Sequence, residues 1–569
     1  MLIRYPHLSD YAIGKGEFIS HKNIKEIEYV IRPEFDSDWP KLNVDLYIRF
    51  KKKPKRGKLY IAANDTLANI KNIHKDIKNI KLLTIKARLK DTEKPNNKLI
   101  ENITQNTVYI NYKVTCPVRN LEHMTTDNEF FRPLVSKDYF QIIGHNSLII
   151  PAWGNQTPNY KFKFRFNWKN IPKNWKLLNS FGYNQKKQKK IRSIKNILNS
   201  VHIAGDFRVK KIEIEDQPVY VAIRSIWPIK DNEFFNIVEK VVKEQRKLFD
   251  DYDFPHYLVI ALPIGNHVLT RGCASFHNTF LSFLGTWRLP VERLAKHISH
   301  ENFHIWNGKK IKMSKPEELL YWFSEGFTDY YAYLTNLRAG LITFQDYVNY
   351  YNYVLYAYWT SPVRNSSNTQ ILKDFWNNID IAALPYHKGQ ILAHNWNTRI
   401  KKETGDKYSL DDVIRDILKE VREHKQPFTV HLLDQVVKKY MKKSILGEIK
   451  KYIDNGETIL PDPDTLGPCC ALEWIKAKNV YLGARDDNKN GENIIIEVDK
   501  NSNAYKAGIR KGQILLGVLN PWGIGPRADR LSRLKIKDLD GTIKNVELYP
   551  VGQKEFDVPQ YAIKKKCIP

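Results

Sequence analysis

Residues 300 to 304 of the chain read H-E-x-x-H, inside the longer stretch HISHENFHIWN at 297–307. Residues four apart on an α-helix lie on one face about one turn from each other, so both imidazoles can reach a single Zn²⁺ ion. Glu301, beside the first histidine, points towards the coordination position where a water binds. The pattern therefore predicts a hydrolytic zinc site with His300 and His304 as ligands and Glu301 as general base.

A third ligand is expected, because a catalytic zinc ion takes three protein ligands and keeps one position open. Glu325, in WFSEGFTDYY, follows His304 by 21 residues, which suffices for a loop and an antiparallel return. Asp329 lies one turn further on the same face and is predicted to accept the remaining N–H of a ligand histidine. His297 is interpreted as a packed histidine beside the ligands, because pairing it with His300 would leave Glu301 without a role.

Helical periodicity indicates the elements that must position these residues. After Asp231 the apolar residues of NEFFNIVEKVVKEQRKLFDDY recur at helical spacing. HYLVIALP is predicted to be a buried strand, and the zinc helix is expected to begin at Pro290 and to end at Gly308. Further helices follow, one of them with Ser409 and Asp412 placed as a capping box. This middle region is predicted to be a mostly helical domain with a small sheet at its start.

The flanking regions have the period-two pattern of β-strands. Before residue 230 it occurs in stretches such as LNVDLYIRF, TVYINYKV and YKFKFRFNW, which predict a β-rich, sandwich-like N-terminal domain. After LPDPDTLGPCC it returns in NIIIEV, QILLGVL and NVELYPV. The sequence thus predicts a multidomain α+β protein with domains at 1–230, 231–465 and 466–569.

HENFHIWN followed by WFSEGFTDYY resembles the gluzincin zinc metallopeptidases, and most closely the glycyl aminopeptidase family. Members of that family join a β-rich N-terminal domain, a thermolysin-like catalytic domain and a C-terminal PDZ domain. The resemblance implies the same order here, with one Zn²⁺ per chain and peptides or proteins as substrates. It also implies an aminopeptidase acting on peptides with small N-terminal residues.

Two further segments extend this resemblance. PYHKG, at 385–389, is similar to the Tyr-x-Lys-Gly segment of related aminopeptidases, which implies that the Tyr386 hydroxyl stabilises the tetrahedral oxyanion. VYLGARDDN and the residues after it resemble a PDZ domain. There Leu482 and Gly483 occupy the positions that turn backbone amides towards a peptide carboxylate, which implies capture of a peptide C-terminus by strand addition.

One segment departs from the family pattern. Related aminopeptidases carry a glutamate before a histidine, upstream of the zinc helix, that binds the free α-amine of the substrate. Here the segment is RGCASFHNTF, and if His277 matches the family histidine, Phe276 stands in the glutamate position. Three alternatives therefore stay open: an aminopeptidase that binds the amine elsewhere, an endopeptidase, and a non-catalytic PDZ-containing peptide-binding protein.

The composition excludes other classes of function. The net charge of +29 is spread along the chain, and its densest run, NQKKQKKIRSIK at 184–195, lacks the interleaved aromatics that stack on bases, so no nucleic-acid partner is expected. Five cysteines in 569 residues make no disulfide framework.

Without an apolar run of about 18 residues, no membrane span is expected. The chain as given is expected to be cytoplasmic, or periplasmic or exported if a leader has been removed.

Overall fold

The structure is a computed structural model that describes residues 17–35, 39–67, 70–116, 129–153, 160–224, 229–264, 270–285, 291–489, 492–518 and 527–564. The chain divides into two units, Met1–Ile226 with Phe254–Trp287, and Trp227–Asp253 with Arg288–Pro569. The protein is thus a multidomain chain that contains both strands and helices.

Strands make up most of the first unit. In chain order its elements are β1 (Glu17–Phe18), β2 (Ile24–Glu34), β3 (Lys41–Phe50), β4 (Gly57–Ala62), β5 (Ile77–Leu82), β6 (Arg88–Asp91), β7 (Asn97–Ile103), β8 (Thr107–Thr115), β9 (Leu134–Val135), β10 (Tyr139–Ile143), α1 (Gly144–Ser147), β11 (Ile150–Ala152), β12 (Lys161–Trp168), β13 (Lys176–Asn179), β14 (Gly182–Tyr183), β15 (Lys187–Ser193), α2 (Ile194–Leu198), β16 (Val201–Gly205), β17 (Arg208–Ile214), β18 (Gln217–Ile223), β19 (Tyr257–Ile264), β20 (Thr270–Phe276) and β21 (Thr279–Gly285). The strands expected from LNVDLYIRF, TVYINYKV and YKFKFRFNW are present as β3, β8 and β12.

Alternating burial explains these strands. In β12 the aromatic residues at 162, 164, 166 and 168 are buried and the residues between them are not, because successive side chains of a strand point to opposite faces. The largest sheet has the order β15-β12-β2-β3-β8-β5. Two others have the orders β1-β4-β7-β6, with β11 also pairing β4, and β14-β13-β16-β10-β9. Their buried side chains share one apolar core.

A fourth sheet of this unit has the order β17-β18-β19-β21-β20. Its strand β19 is the stretch HYLVIALP, whose prediction as a buried strand is confirmed. β19 runs parallel to both β18 and β21, and β20 is antiparallel to β21. Phe276, the last residue of β20, is 4% exposed and packs with the core of this unit.

Helices dominate the second unit up to residue 454. They are α3 (Asp231–Phe249), α4 (Val291–Phe303), α5 (Tyr321–Ser324), α6 (Gly326–Arg338), α7 (Phe344–Thr360), α8 (Asn368–Asp374), α9 (Ile379–Thr404), α10 (Leu410–His424), α11 (Val430–Met441) and α12 (Leu446–Glu448), with π-helical Ile449–Asp454. The capping box at Ser409 and Asp412 is present. Helix α4 ends at Phe303, earlier than the predicted end at Gly308, and the chain then turns, with the Ile305 and Trp306 amides donating three residues back to the Asn302 and Phe303 carbonyls.

The C-terminal part of this unit consists of β22 (Cys470–Val480), β23 (Ala484–Lys489), β24 (Glu492–Val498), α13 (Asn503–Lys506), β25 (Ile514–Val518), β26 (Ser532–Lys537), β27 (Ile543–Leu548) and β28 (Val551–Ile563). Strands β23 to β27 form one antiparallel sheet in sequence order. β22 and β28 pair with each other as a separate two-stranded sheet. They pack on α7, where Asn352 makes two hydrogen bonds to the backbone of Tyr561.

Among the described residues, no helix combines the length and the apolar character that crossing a bilayer requires. Cys116 and Cys470 are buried free thiols, and Cys469 is disulfide-bonded.

Candidate metal centre and active site

The two histidines of the H-E-x-x-H pattern lie side by side at the end of α4. The Nε2 atoms of His300 and His304 are 3.1 Å apart, and their rings are nearly perpendicular. His300 is a buried residue of the last turn of α4, and His304 directly follows Phe303, the last residue of the helix. The helical spacing thus brings both imidazole nitrogens to one point.

Glu325 completes this cluster from the junction of α5 and α6. Its Oε2 atom lies 3.4 Å from His300 Nε2 and 3.5 Å from His304 Nε2. Glu325 is the single residue between these two helices, with a φ of −102° and a ψ of −47°, and its amide donates to the Tyr321 carbonyl oxygen. One ligand atom from each of these three residues lies within 4.8 Å of the others, which is the arrangement that a bound cation requires.

The other nitrogen of each ligand histidine is engaged. His300 Nδ1 lies 2.7 Å from Asp329 Oδ1, and His304 Nδ1 lies 2.9 Å from the Asn307 carbonyl oxygen. With Nδ1–H as donor in both rings, the Nε2 lone pairs face the cluster, as a metal site requires. Imidazole and carboxylate donors suit Zn²⁺, so the residues present fit this ion.

Asn307 contacts both His304 and the segment that carries Glu325, and no pattern in the sequence indicated this role. It is fully buried. Its carbonyl accepts from His304, while its side-chain amide donates to the carbonyl oxygens of Phe323 and Ser324 at 3.1 and 3.3 Å. These carbonyls immediately precede Glu325, so one residue orients one ligand and holds the segment that carries another.

Opposite charges surround the histidine–carboxylate network. Burial would raise the pKa of Asp329, but the positive charges of Lys296 and His300 hold it well below its usual range. Lys296 Nζ lies 2.7 Å from Asp329 Oδ1. Burial alone would lower the pKa of His300, but Asp329 raises it to about 9. Asp329 is therefore an anion that holds an imidazole N–H in place.

Glu301 lies beside this cluster on the half-buried face of α4. Burial would lower the pKa of His304, but the Glu325 carboxylate raises it, and Glu301 adds a smaller contribution in the same direction. It also acts on Lys309, a residue that the sequence did not indicate. Burial lowers the pKa of Lys309 to about 7 against this influence of Glu301. A carboxylate and a weakly basic amine thus lie near the candidate ligands.

Tyr386 reaches the cluster from α9. Its ring stacks on the His300 imidazole with centroids 6.2 Å apart, and its hydroxyl is hydrogen-bonded to Glu325. Burial, followed by the charges of Glu325 and Asp329, raises the pKa of Tyr386 well above its usual value. The hydroxyl therefore keeps its proton at neutral pH and can act as a donor.

A close contact between glycines brings Tyr386 near Glu325. A Cβ atom added to Gly389 would lie 1.8 Å from the Trp322 carbonyl oxygen, and one added to Gly326 would lie 2.6 Å from the Gly389 Cα. Gly326 follows Glu325 directly, and Gly389 lies one turn after Tyr386. Only glycine allows α9 and the α5–α6 junction to approach this closely.

Lys388, also in the PYHKG segment, is buried and serves the same helix. Its Nζ donates to the carbonyl oxygens of Ser366 and Tyr452 at 3.0 and 3.1 Å. Burial lowers its pKa to about 8. The lysine of the segment therefore fixes α9 to two distant parts of the chain.

The remaining sequence-based candidates lie outside this cluster. His297, half-buried on α4, contributes no ligand atom to it, and burial lowers its pKa to about 4. Leu482 and Gly483 precede the strand β23 of the C-terminal sheet. Phe276 is a core residue of the first unit.

Comparisons with known proteins bear on this site. Residues 293–380 match the family model of the M61 glycyl aminopeptidases. None of the curated proteins compared with the chain matches its sequence. Among solved structures, an aminopeptidase N family protein from Idiomarina loihiensis is 14% identical, with a TM-score of 0.67 over 95% of this chain and 98% of that one.

An M1 zinc metallopeptidase from Deinococcus radiodurans is 12% identical, with a TM-score of 0.43 over 78% of this chain and 96% of that one. The likeness to the Idiomarina protein shows a shared fold. The segment matched by the family model contains His300, Glu301, His304 and Glu325. The segment that carries the candidate ligands is therefore similar to the glycyl aminopeptidases, and this match supports a metallopeptidase.

Proposed function

We propose that the chain is a zinc aminopeptidase that acts on peptides with small N-terminal residues. The observation that carries the proposal is the convergence of ligand atoms from His300, His304 and Glu325 within 4.8 Å. Two imidazoles and one carboxylate would hold one Zn²⁺ per chain and leave a position open, as catalytic zinc sites do. The preference for small N-terminal residues rests on the family that the segment 293–380 matches.

In this proposal the chain's own groups handle the protons of the reaction. A bound zinc ion supplies a polarised carbonyl and a water of lowered pKa. Glu301 accepts the proton of the attacking water and passes it to the leaving amine. The protonated Tyr386 hydroxyl donates to the developing oxyanion, a contribution of about 2.7–4 kcal/mol by analogy with other oxyanion donors. Asp329 and the Asn307 carbonyl hold the two imidazoles in the required orientation.

The finer domain assignment is part of the same proposal: a sandwich-like domain at 1–230, a thermolysin-like domain at 231–465 and a PDZ-like domain at 466–569. Leu482 and Gly483 of the last would bind a peptide C-terminus. In support, β23 begins directly after Gly483 and is an edge strand of its sheet, available for strand addition. Gly483 has a φ of +74°, which favours glycine.

An endopeptidase is the second candidate, favoured by Phe276. A phenylalanine offers no carboxylate to an α-amine, and this ring is 4% exposed and packs in an apolar core. The third candidate, a peptide-binding protein without catalysis, is less well supported, because ligand atoms of His300, His304 and Glu325 converge and the segment 293–380 matches a peptidase family model.

Mass spectrometry of one alanine-led peptide tests the proposal. The peptide is offered with a free and with an acetylated N-terminus, to zinc-loaded and to chelator-treated protein. We expect zinc-dependent removal of the first residue from the free form alone. Internal cleavage of both forms would replace the aminopeptidase by an endopeptidase, and no zinc-dependent cleavage of either would overturn the proposed chemistry.

A further inference from the structure

Three large apolar side chains are exposed within the eight residues from the end of α8 to the start of α9. Leu372, Trp376 and Ile379 are 37%, 63% and 85% exposed. Single exposed apolar residues are common on protein surfaces, but a cluster marks a site of interaction. These three residues are called the α8–α9 patch.

Aromatic contacts connect the α8–α9 patch to the candidate metal centre. The Phe375 ring lies 5.0 Å from the Trp376 ring and 4.5 Å from the Tyr321 ring, measured between centroids. Tyr321 begins α5, one turn before Glu325. The Glu325 amide donates to the Tyr321 carbonyl oxygen at 2.8 Å, so the two residues lie one helical turn apart. The path from Trp376 through Phe375 and Tyr321 to Glu325 is roughly 15 Å long, with one helical turn between Tyr321 and Glu325.

Helix α9 provides a second connection. Ile379 is its first residue and Tyr386 follows after seven residues, which is two turns on the same face, about 10 Å along the axis. The patch therefore flanks both the residue proposed to donate to the oxyanion and the element that carries the third ligand.

The chemistry of an aminopeptidase decides what can lie on this patch. Such an enzyme removes one residue, so the rest of the peptide lies on the leaving side of the scissile bond. An extended peptide advances about 3.3 Å per residue, so 10–15 Å corresponds to roughly three to five residues. The charged neighbours of the patch are of both signs, Lys373, Asp374 and Asp380. An apolar side chain is therefore a better match to this surface than a charged one.

We infer that the α8–α9 patch binds an apolar side chain of the peptide substrate about three to five residues beyond the scissile bond. This inference rests on the proposed aminopeptidase function. It assigns Leu372, Trp376 and Ile379 a role in selecting longer peptides, separate from the choice of the N-terminal residue.

The test uses ten-residue, C-terminally amidated peptides that begin with alanine and carry one leucine among glycines and serines. The amide removes the carboxylate that the PDZ-like domain would bind. In the wild type we expect kcat/KM to be highest with leucine at positions 4 to 6, about tenfold above the peptides with leucine at position 8 or 9. In Trp376→Ser and in Ile379→Ser this preference falls towards one, mainly through KM. Ile543→Ser removes an isoleucine that is 51% exposed on β27, and it serves as the matched control with an unchanged preference.

Several outcomes would overturn the inference. One is a flat response to leucine position in the wild type, and another is an equal preference in Trp376→Ser and the wild type. Sedimentation velocity showing a wild-type dimer that Trp376→Ser dissociates would assign the patch to a second copy instead. If the wild type removes no alanine at all, the proposed function fails instead. The inference is then decided by fluorescence anisotropy of the same peptides, labelled, on the Glu301→Gln variant: tighter binding with leucine at 4 to 6 supports it, and equal binding rejects it.

Discussion

The helices around Glu325 and the C-terminal sheet β23–β27 both place a glycine beside candidate binding residues, but they fix those residues differently. At Gly389 the obstacle to a side chain is the backbone carbonyl of Trp322, and the charged groups nearby are buried and paired. At Gly483 the obstacle is the side chain of Ser502, and the neighbouring Tyr481 is 46% exposed. The first region thus holds charged side chains in fixed positions, whereas the second presents backbone at a sheet edge.

This difference indicates how each region responds to change. A network of buried charges loses function when one partner is removed, because the remaining groups stay unsatisfied. A backbone edge loses affinity gradually and leaves the distant reaction intact. Substitutions in the two regions should therefore differ in their effect on the reaction.

Glu301→Gln tests the centre of the helical region. Removing the proposed base is expected to lower kcat by about 10²–10⁴-fold, which is the usual contribution of general acid–base catalysis. Because Glu301 is not a proposed ligand, zinc content measured by mass spectrometry of the intact protein should stay at one ion per chain. Loss of the metal would contradict its assigned role.

Gly389→Ala should distort the contact between α9 and the α5–α6 junction. A Cβ atom 1.8 Å from a carbonyl oxygen must be relieved by backbone movement, with an expected loss of about 3 kcal/mol in the free energy of unfolding. Thermal unfolding and kcat are the measurements. Gly447→Ala, where nothing lies within 4 Å of an added Cβ, is the matched control, and an equal effect of both would refute the crowding argument.

Mildly acidic pH should lower the stability of the helical region more than that of the C-terminal sheet. His394 on α9 is buried against Tyr351, and burial lowers its pKa to about 3 from the usual 6.5. Below pH 6.5 the unfolded chain binds a proton that the folded chain does not, so stability falls as the pH drops, by about 3 kcal/mol at pH 4. Residues 466–569 contain no histidine.

Hydrogen exchange at pH 7 and pH 5, corrected for the intrinsic rate, should therefore show α9 losing protection while β25 and β26 keep theirs. His394→Gln should flatten this dependence in α9. Equal loss of protection in both regions would contradict the assignment to buried histidine.

Asn307→Ala tests whether one buried amide serves both ligands. Its side chain donates to the carbonyls of Phe323 and Ser324, so its removal should loosen Glu325 and weaken zinc binding by about 10- to 100-fold, as outer partners of metal ligands do. Competition with a chromogenic chelator measures the affinity. Asn377→Ala, at an exposed position before α9, is the control. An unchanged zinc affinity would limit Asn307 to a packing role.

Gly483→Ala should have the smallest effect on the reaction. The φ of +74° and the contact with Ser502 make an alanine strained there, so capture of a free peptide C-terminus should weaken. Hydrolysis of a short alanine amide should change less than about twofold, since the sheet edge serves binding only. A large loss of that hydrolysis would show that the two regions are coupled.

The sequence indicated the candidate ligands because part of the information is local. The four-residue spacing of His300 and His304, and of Glu325 and Asp329, follows from helical geometry alone. The strands were predictable for the same reason, since alternation is visible within eight residues. The junction between α5 and α6 at Glu325 was not, because no local spacing of residues indicates it.

Asn307, Lys309 and Gly389 were missed for a related reason. Their partners are other parts of the fold: the Asn307 amide contacts residues 16 and 17 positions later, and Gly389 contacts Trp322 across two helices. The only signal for Gly389 was its place in PYHKG, and only the contact explains it. The domain boundaries and the roles of Leu482 and Gly483 stay predictions.

The pairing of β22 with β28 determines how the sheet β23–β27 can be deleted from this protein. Val480 pairs with Val551, and the Tyr481 amide donates to the Pro550 carbonyl. The segment 481–550 therefore begins and ends at adjacent positions of this two-stranded sheet. The sheet β23–β27 is therefore nested inside a hairpin that packs on α7, and a C-terminal truncation would remove β28 along with it. An internal excision, with a short turn joining Val480 to Val551, would spare both strands. It would leave the Tyr356 hydroxyl its bond to the Lys478 carbonyl and remove only the one it receives from Ala528.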